Sequence, residues 1–535
     1  MPDGTLKPGV AETVPLPPLS GGERQDCDAR TAVPPNALWI GRNVEWFRGA
    51  LRKRPGRVQV AAGPLAGGAL YLEEFLRNDG TVLLIAACRD AGPPAAGEIY
   101  SIDADDAAFT PRTPVGGLSE PMVLPSGVNF QDHFYLTCGT AELVMEWDGS
   151  ATPFTTIAGT PQCRFLGSLA NHLVAAYITD PAEPAPLAAD FPYKLMWSRE
   201  GNPADWTTGD SGEVDLVDPV GAITGLWRYG DYLYVARERS IQRMSYFGPP
   251  LQFAFQGVDA PGCVAPGSFA QAFTEGEPYA FYLGEDNLYE FNGIVARPLP
   301  ECVRKVVVEQ MEPTRISHAV ALAWPGHHQY WLAFSSVGSA VNDRVLVWDY
   351  ANRAMYLWEL GFSGLGRWQP RARRSIDDLS GYAATINLLS AFAGSINELS
   401  GPSGARVVVP VAGCYDSKVY QLRDDTPTDA GAAIPAAPET GLMNFGTERP
   451  KQVKRVLISA DRPDSGAEVE VYLGVSEDGK SIVWHGPKAH QLAPTQRPWV
   501  DFRATGRWIA LRLSNTGSST FRISGLEVEL VERVR

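Results

Sequence analysis

One short phrase recurs along this chain and restricts its fold more than any other feature. Two or three apolar or aromatic residues at strand spacing are followed by a polar turn, at 99–103 (IYSID), 143–149 (LVMEWDG), 195–198 (LMWS), 241–244 (IQRM), 288–293 (LYEFNG), 346–349 (LVWD) and 419–422 (VYQL). With Ile102, Trp147, Trp197, Met244, Phe291, Trp348 and Leu422 as anchors, the spacings are 45, 50, 47, 47, 57 and 74 residues. A four-stranded propeller blade takes about 40 to 50 residues. The period therefore predicts a β-propeller of six or seven blades. A parallel β-helix would need a much shorter period, and a sandwich would not repeat.

Local signals agree. Ala69 to Leu76, the turn Asn78-Asp79-Gly80 and the run 81–88 read as a hairpin. Gly 53 and Pro 43 in 535 residues are a turn-rich allotment, well above average usage. The last spacing is long because 375–399 breaks the strand pattern: Ile376, Leu379, Ile386, Leu389, Phe392, Ile396 and Leu399 fall on one helix face. A low-complexity stretch at 426–438 reads as a linker. Beyond it, alternating runs at 453–459, 468–475, 499–502, 508–513 and 523–531, with turns at Asp478-Gly479 and Asn515-Thr516-Gly517, read as an antiparallel sandwich. The expected fold class is all-β: an extended proline-rich arm over 1–35 that needs a neighbour to order it, a β-propeller over 36–430 with a helical insertion at 370–403, and a C-terminal antiparallel β-sandwich domain over 440–535.

Charge and motifs then narrow the function. Lys+Arg 46 against Asp+Glu 61 gives a net charge of −15, which argues against a protein that wraps duplex DNA on a basic surface. The longest apolar run, 82–88, falls far short of the roughly 20 residues a membrane span takes. The start of the chain shows no basic and apolar signal pattern. Seven scattered cysteines, none spaced as CxxC, suggest reduced thiols and synthesis in a reducing cytoplasm.

No phosphate loop, HExxH or nucleophile elbow occurs, and Gly361-Phe362-Ser363-Gly364 lacks the second glycine in register. No enzyme activity, cofactor or metal is expected. His327-His328 are adjacent, would point to opposite faces of a strand, and read as a surface or turn pair. Asp210, Glu213, Asp215 and Asp218 read as a solvated acidic face rather than a calcium site. The Asp-box-like run Ser476-Glu477-Asp478-Gly479 reads as a hairpin turn. Trp147-Asp148 and Trp348-Asp349 lack the Gly-His partner of WD repeats. A glycosidase would need two paired carboxylates that sequence does not single out, so a carbohydrate-binding or carbohydrate-cleaving β-propeller is the alternative reading. The sharpest basic cluster is Arg48, Arg52, Lys53, Arg54 and Arg57, a candidate for gripping an acidic partner or a DNA phosphate, or else a solvated turn.

Four phrases in order carry a family resemblance. Asn43-Val44, leading to Gly49-Ala50-Leu51-Arg52-Lys53-Arg54-Pro55-Gly56, resembles the opening of the tail nozzle proteins (tail tubular protein B) of short-tailed bacteriophages. The run 196–206 (MWSREGNPADW), followed by Ile223-Thr224-Gly225-Leu226 and Ser240-Ile241, resembles a second family phrase. The segment 375–381 (SIDDLSG) is similar to an insertion these proteins often carry. Phe445-Gly446 with Lys451 and Arg455, then Gly506-Arg507-Trp508-Ile509, resembles their C-terminal β domain. A recognisable fibre-docking insertion is missing.

The resemblance implies a structural virion protein of the podovirus tail: a homohexameric ring below the portal and the head-tail connector (adaptor), adjoining a tail fibre, spike or tip protein. Such a ring retains genomic dsDNA, then conducts it during ejection without sequence-specific binding. Synthesis and assembly would take place in the host cytoplasm, with no membrane insertion by this chain. A six-fold ring would carry six times the net charge of −15, and an acidic lumen repels phosphate so that DNA slides. Arg52 and Arg54 are then expected to face the connector or a neighbouring subunit.

Overall fold

The computed structural model describes residues 9–24, 26–89, 97–103, 106, 108–118, 125–139, 142–179, 190–274, 277–369, 408–461 and 466–533. The expected helical insertion at 370–403 lies outside the described residues.

The protein is all-β and propeller-like. Six four-stranded antiparallel sheets follow one another along the chain, their first strands being Ala69–Leu76, Ser126–Phe130, Gln162–Leu169, Ile223–Tyr229, Ala270–Thr274 and Val320–Trp324. A further sheet takes three strands from Gly364–Trp368, Val409–Gly413 and Val419–Arg423, and its fourth from Gly56–Gln59 near the start of the chain, in the register Tyr420↔Gln59 to Arg423↔Gly56. Its first strand packs on that of the first sheet so closely that a Cβ on Gly364 would lie 2.6 Å from the Ala69 carbonyl. Gly366 faces the Leu72 carbonyl in the same way, so both positions require glycine.

The repeated phrase falls on the third strand of every sheet: Gly97–Asp103, Met145–Trp147, Asp190–Trp197, Ile241–Gly248, Leu288–Phe291, Arg344–Asp349 and Val419–Arg423. These strands need apolar residues because each is flanked by two strands of its own sheet and covered by the adjoining sheets. Trp147, Phe291 and Trp348 are fully buried at or next to the ends of their strands, while Trp197 is half-buried. Aromatic rings fill the layers between sheets. Phe75 of the first sheet lies 5.8 Å from both Phe134 and Trp147 of the second, within the range for tilted aromatic pairs.

One helix went unread in the sequence. Glu301–Gln310 connects the fifth and sixth sheets and buries Cys302, Val303, Val306 and Val307. Its valine-rich run favours strands by propensity. The spacing of the buried positions, supported by contacts in the tertiary core, overrides that preference.

A second body holds two antiparallel sheets around one core. One consists of Val44–Phe47, Ala50–Lys53, Arg522–Glu532, Lys451–Ala460 and Trp499–Gly506, with Ala11–Pro15 added along Arg522–Glu532. The other consists of Leu38–Arg42, Ala437–Thr440, Trp508–Ser514, Glu468–Ser476 and Val483–Gln491. Val453, Val471, Leu473, Ile509, Leu511, Val528 and Leu530 form the centre of the shared core.

Three sequence expectations change here. The N-terminal arm does not wait for a neighbour: Ala11–Pro15 pairs with its own chain from Ala11↔Val531 to Pro15↔Glu527, and Leu16 and Leu19 enter the core. Proline is harmless at a strand end, so prolines do not prevent this docking. Residues 38–53 belong to the second body rather than to the propeller. The stretch read as a linker contains the Thr428–Asp429 and Ala432–Ala433 hairpin and the start of the Ala437–Thr440 strand.

The candidate assembly segment and the central channel

The segment 43–57 that carries both the basic cluster and the first family phrase is built on a tight hairpin. Val44–Phe47 and Ala50–Lys53 pair through a turn at Arg48 and Gly49, both with positive φ (48° and 79°), which suits a two-residue hairpin turn. Strand alternation then sets Glu45 opposite Arg52, and Lys53 opposite Val44.

The structure turns four of the five basic residues inward. Arg54 is buried and forks onto Asp429, Nη1 to Oδ1 at 3.0 Å and Nη2 to Oδ2 at 2.5 Å, while its Nε donates to Asn43 Oδ1 at 3.3 Å. Arg52 pairs with the fully buried Glu45 at 2.6 Å and with Asp424 at 2.8 Å, and its guanidinium lies 3.9 Å over the Phe47 ring. Lys53 is buried and donates to Asn515 Oδ1, Gly517 O and Ser519 O at 2.7, 2.8 and 2.9 Å. Burial pushes its ammonium down to about 8. Arg57 donates to Cys414 Sγ at 3.0 Å and lies over the Tyr420 ring. Arg48 alone is exposed, its guanidinium over Phe47. The expectation that Arg52 and Arg54 face another subunit is therefore corrected: their forks are taken by carboxylates of this chain.

Around these residues the two bodies lock together. Asn43, with φ 53°, donates from its side chain to Pro435 O at 2.8 Å, and its Oδ1 accepts from Glu359 N at 2.9 Å. Glu45 Oε2 accepts from Gln329 Nε2 at 2.7 Å, and Gln329 Oε1 accepts from the Trp331 indole at 2.9 Å. His327 is not a surface residue. It ends the short turn Pro325–His327, sits buried between Trp324 (ring centroids 3.5 Å apart) and Phe47 (4.2 Å), and meets Asp424 Oδ2 at 2.8 Å. Burial alone would raise Asp424, but the His327 and Arg52 contacts outweigh it and hold the carboxyl below its ordinary value. His328 lies in a left-handed turn rather than on a strand.

Glu45, Asp424 and Asp429 were missed from sequence, and Asn43 stood out only as part of the first family phrase. Their partners lie up to 392 residues away, and no local pattern marks such a pair. Chemically the node is a clamp. Every charge in it has a partner, which is how buried ions are tolerated.

The first strands of the sheets surround a central channel of about 370 Å³ lined by Tyr71, Glu73, Ser126, Arg228 and Gln271 among others. Glu73 lines this channel with its side chain exposed to it, and the protein crowded around it pushes its carboxyl up to about 7, against the opposing pull of Arg367. Duplex DNA cannot enter the channel. Of the acidic run, Glu213, Asp215 and Asp218 are exposed, with Glu213 near Lys194 at 3.3 Å, whereas Asp210 folds back to accept from Glu200 N at 3.0 Å. Asp478 closes the Asp-box-like turn by accepting from Lys480 N and Ser481 N at 2.9 and 2.8 Å. All seven cysteines are free thiols.

No protein-family model and no curated protein matches this chain. Among solved structures it is similar to BamB from Moraxella catarrhalis, at 10% identity and a TM-score of 0.36, over 79% of this chain and 98% of that one. It is also similar to the extracellular domain of the putative one component system BT4673 from B. thetaiotaomicron, at 10% identity and a TM-score of 0.37, over 81% of this chain and 47% of that one.

Proposed function

We propose that the protein is a structural component of a short-tailed phage tail, a nozzle subunit that assembles as a homohexameric ring under the head-tail connector and passes genomic DNA through the ring lumen. In this reading the chain is a seven-bladed propeller, closed by the early Gly56–Gln59 strand, fused to a β-sandwich made from both ends of the chain. It has no enzymatic role and needs no cofactor.

The observation that carries the reading is the position of the first family phrase. Asn43, Arg52 and Arg54 clamp propeller to sandwich, and Gly56 lets the chain enter the last propeller sheet, where a Cβ would collide with the Thr426 and Thr428 backbone. A tube wall under the pressure of packaged DNA needs subunits that do not hinge, and a largely buried junction whose charges are paired supplies that stiffness. The channel within one chain is too small for DNA, so the conduit is the space enclosed by the ring, where the net charge of −15 per subunit disfavours phosphate grip. Mass photometry of the full chain tests the reading. Rings of six, alone or on a connector, are expected; a monomer that binds or cleaves a polysaccharide would favour the carbohydrate-active alternative.

A further inference from the structure

We propose that His172, Glu200 and Asp210 form a binding site for a divalent transition-metal ion. His172 opens the second strand of the third sheet, His172–Thr179. Glu200 and Asp210 lie in the loop between that sheet's third and fourth strands, Asp190–Trp197 and Gly212–Asp215. One potential ligand atom from each residue lies within 4.8 Å of the others.

The state of the imidazole argues for a ligand. His172 Nδ1 contacts the Ser198 carbonyl at 2.7 Å. A carbonyl only accepts, so Nδ1 carries a proton, and in the neutral imidazole the lone pair resides on Nε2. That nitrogen is buried without a hydrogen-bond partner, on a side chain with 0% exposure. Buried polar atoms are rarely left so. A histidine fixed by a backbone carbonyl through one nitrogen, and offering the other, has the arrangement metal-bound histidines usually show.

The carboxylates are supported as well. Asp210 accepts from the Glu200 amide at 3.0 Å through Oδ1, and its main-chain oxygen accepts from the Trp197 indole at 3.0 Å. Asp205 fixes the intervening turn by accepting from Thr207 N and Thr208 N at 3.2 and 3.0 Å, and Gly201 N donates to Asn171 O at 2.8 Å. The Glu200 side chain is exposed and free to swing. Metal bonds of about 2.0 to 2.2 Å bring ligand atoms closer than 4.8 Å, so this swing closes the site. One imidazole with two carboxylates suits zinc, manganese or cobalt. Magnesium and calcium prefer oxygen alone. Water fills the remaining positions.

Zinc titration of the full chain by calorimetry, with X-ray absorption of the loaded protein, tests the site. One zinc per chain is expected, with a nitrogen and oxygen shell and no sulfur. Glu200→Gln and Asp210→Asn should each weaken binding at least tenfold, while Glu213→Gln should leave it unchanged. Glu200 is exposed, so its variant reports on binding even if His172→Gln fails to fold. No saturable binding, a sulfur shell, or wild-type affinity in both carboxylate variants would overturn the assignment.

Discussion

Arg54 and Asp429 meet as a bidentate pair, Nη1 to Oδ1 at 3.0 Å and Nη2 to Oδ2 at 2.5 Å, across 375 residues of chain. Arg54 is buried and Asp429 nearly so. Removing one partner of a buried pair leaves the other charge stranded, which typically costs about 3 to 5 kcal/mol. Arg54→Ala should therefore lower unfolding stability by about that amount in urea melts, and Arg54→Lys should recover only part because an ammonium cannot fork. A change under 1 kcal/mol would mean that water substitutes for the guanidinium.

The repeat anchors should differ according to burial. Trp348 is fully buried and Trp197 half-buried. Trp348→Ala should cost about 3 to 5 kcal/mol, as large buried aromatics do, and Trp197→Ala distinctly less. Equal losses in chemical denaturation would contradict this ranking.

Lys53 gives a pH test. Its pKa falls from the ordinary 10.5 to about 8 in the fold, so between those values the unfolded chain binds more protons and stability from this group rises with pH. Below about 8 the burial cost is fully present. Compared with Lys53→Met, the wild type should gain stability between pH 8 and 10. A flat difference would mean that the three oxygen acceptors keep the ammonium charged throughout.

The arm makes a further prediction. Because Ala11–Pro15 pairs with Arg522–Glu532 and Leu16 and Leu19 enter the core, deleting residues 1–19 should destabilise the isolated chain and raise its protease sensitivity. Unchanged melting and protease resistance would show that the strand contributes nothing.

These contrasts mark what was legible in the sequence. The third strands could be read because each must be apolar, and Trp147, Phe291 and Trp348 recur at the blade period. The Glu301–Gln310 helix could not, since valines signal strand until the core selects a face. The docked arm was hidden because edge pairing is made by backbone groups that carry no sequence signature. The clamp was half visible: the basic residues stood out as a cluster, but Glu45, Asp424 and Asp429 are ordinary acids until folding brings them together. His172 and Glu200 lay outside the acidic run that drew attention to Asp210, because a loop rather than a strand face gathers them.

Whether this chain lines a DNA conduit, as proposed, is decided by electron cryo-microscopy of the full chain, assembled alone or on a connector. A six-fold ring is expected, its lumen wide enough for duplex DNA and walled mainly by acidic and neutral side chains, with the Arg52 and Arg54 forks still on Glu45, Asp424 and Asp429 inside each subunit. A chain that stays monomeric under every assembly condition, or a ring whose lumen is lined by arginine and lysine, would contradict it.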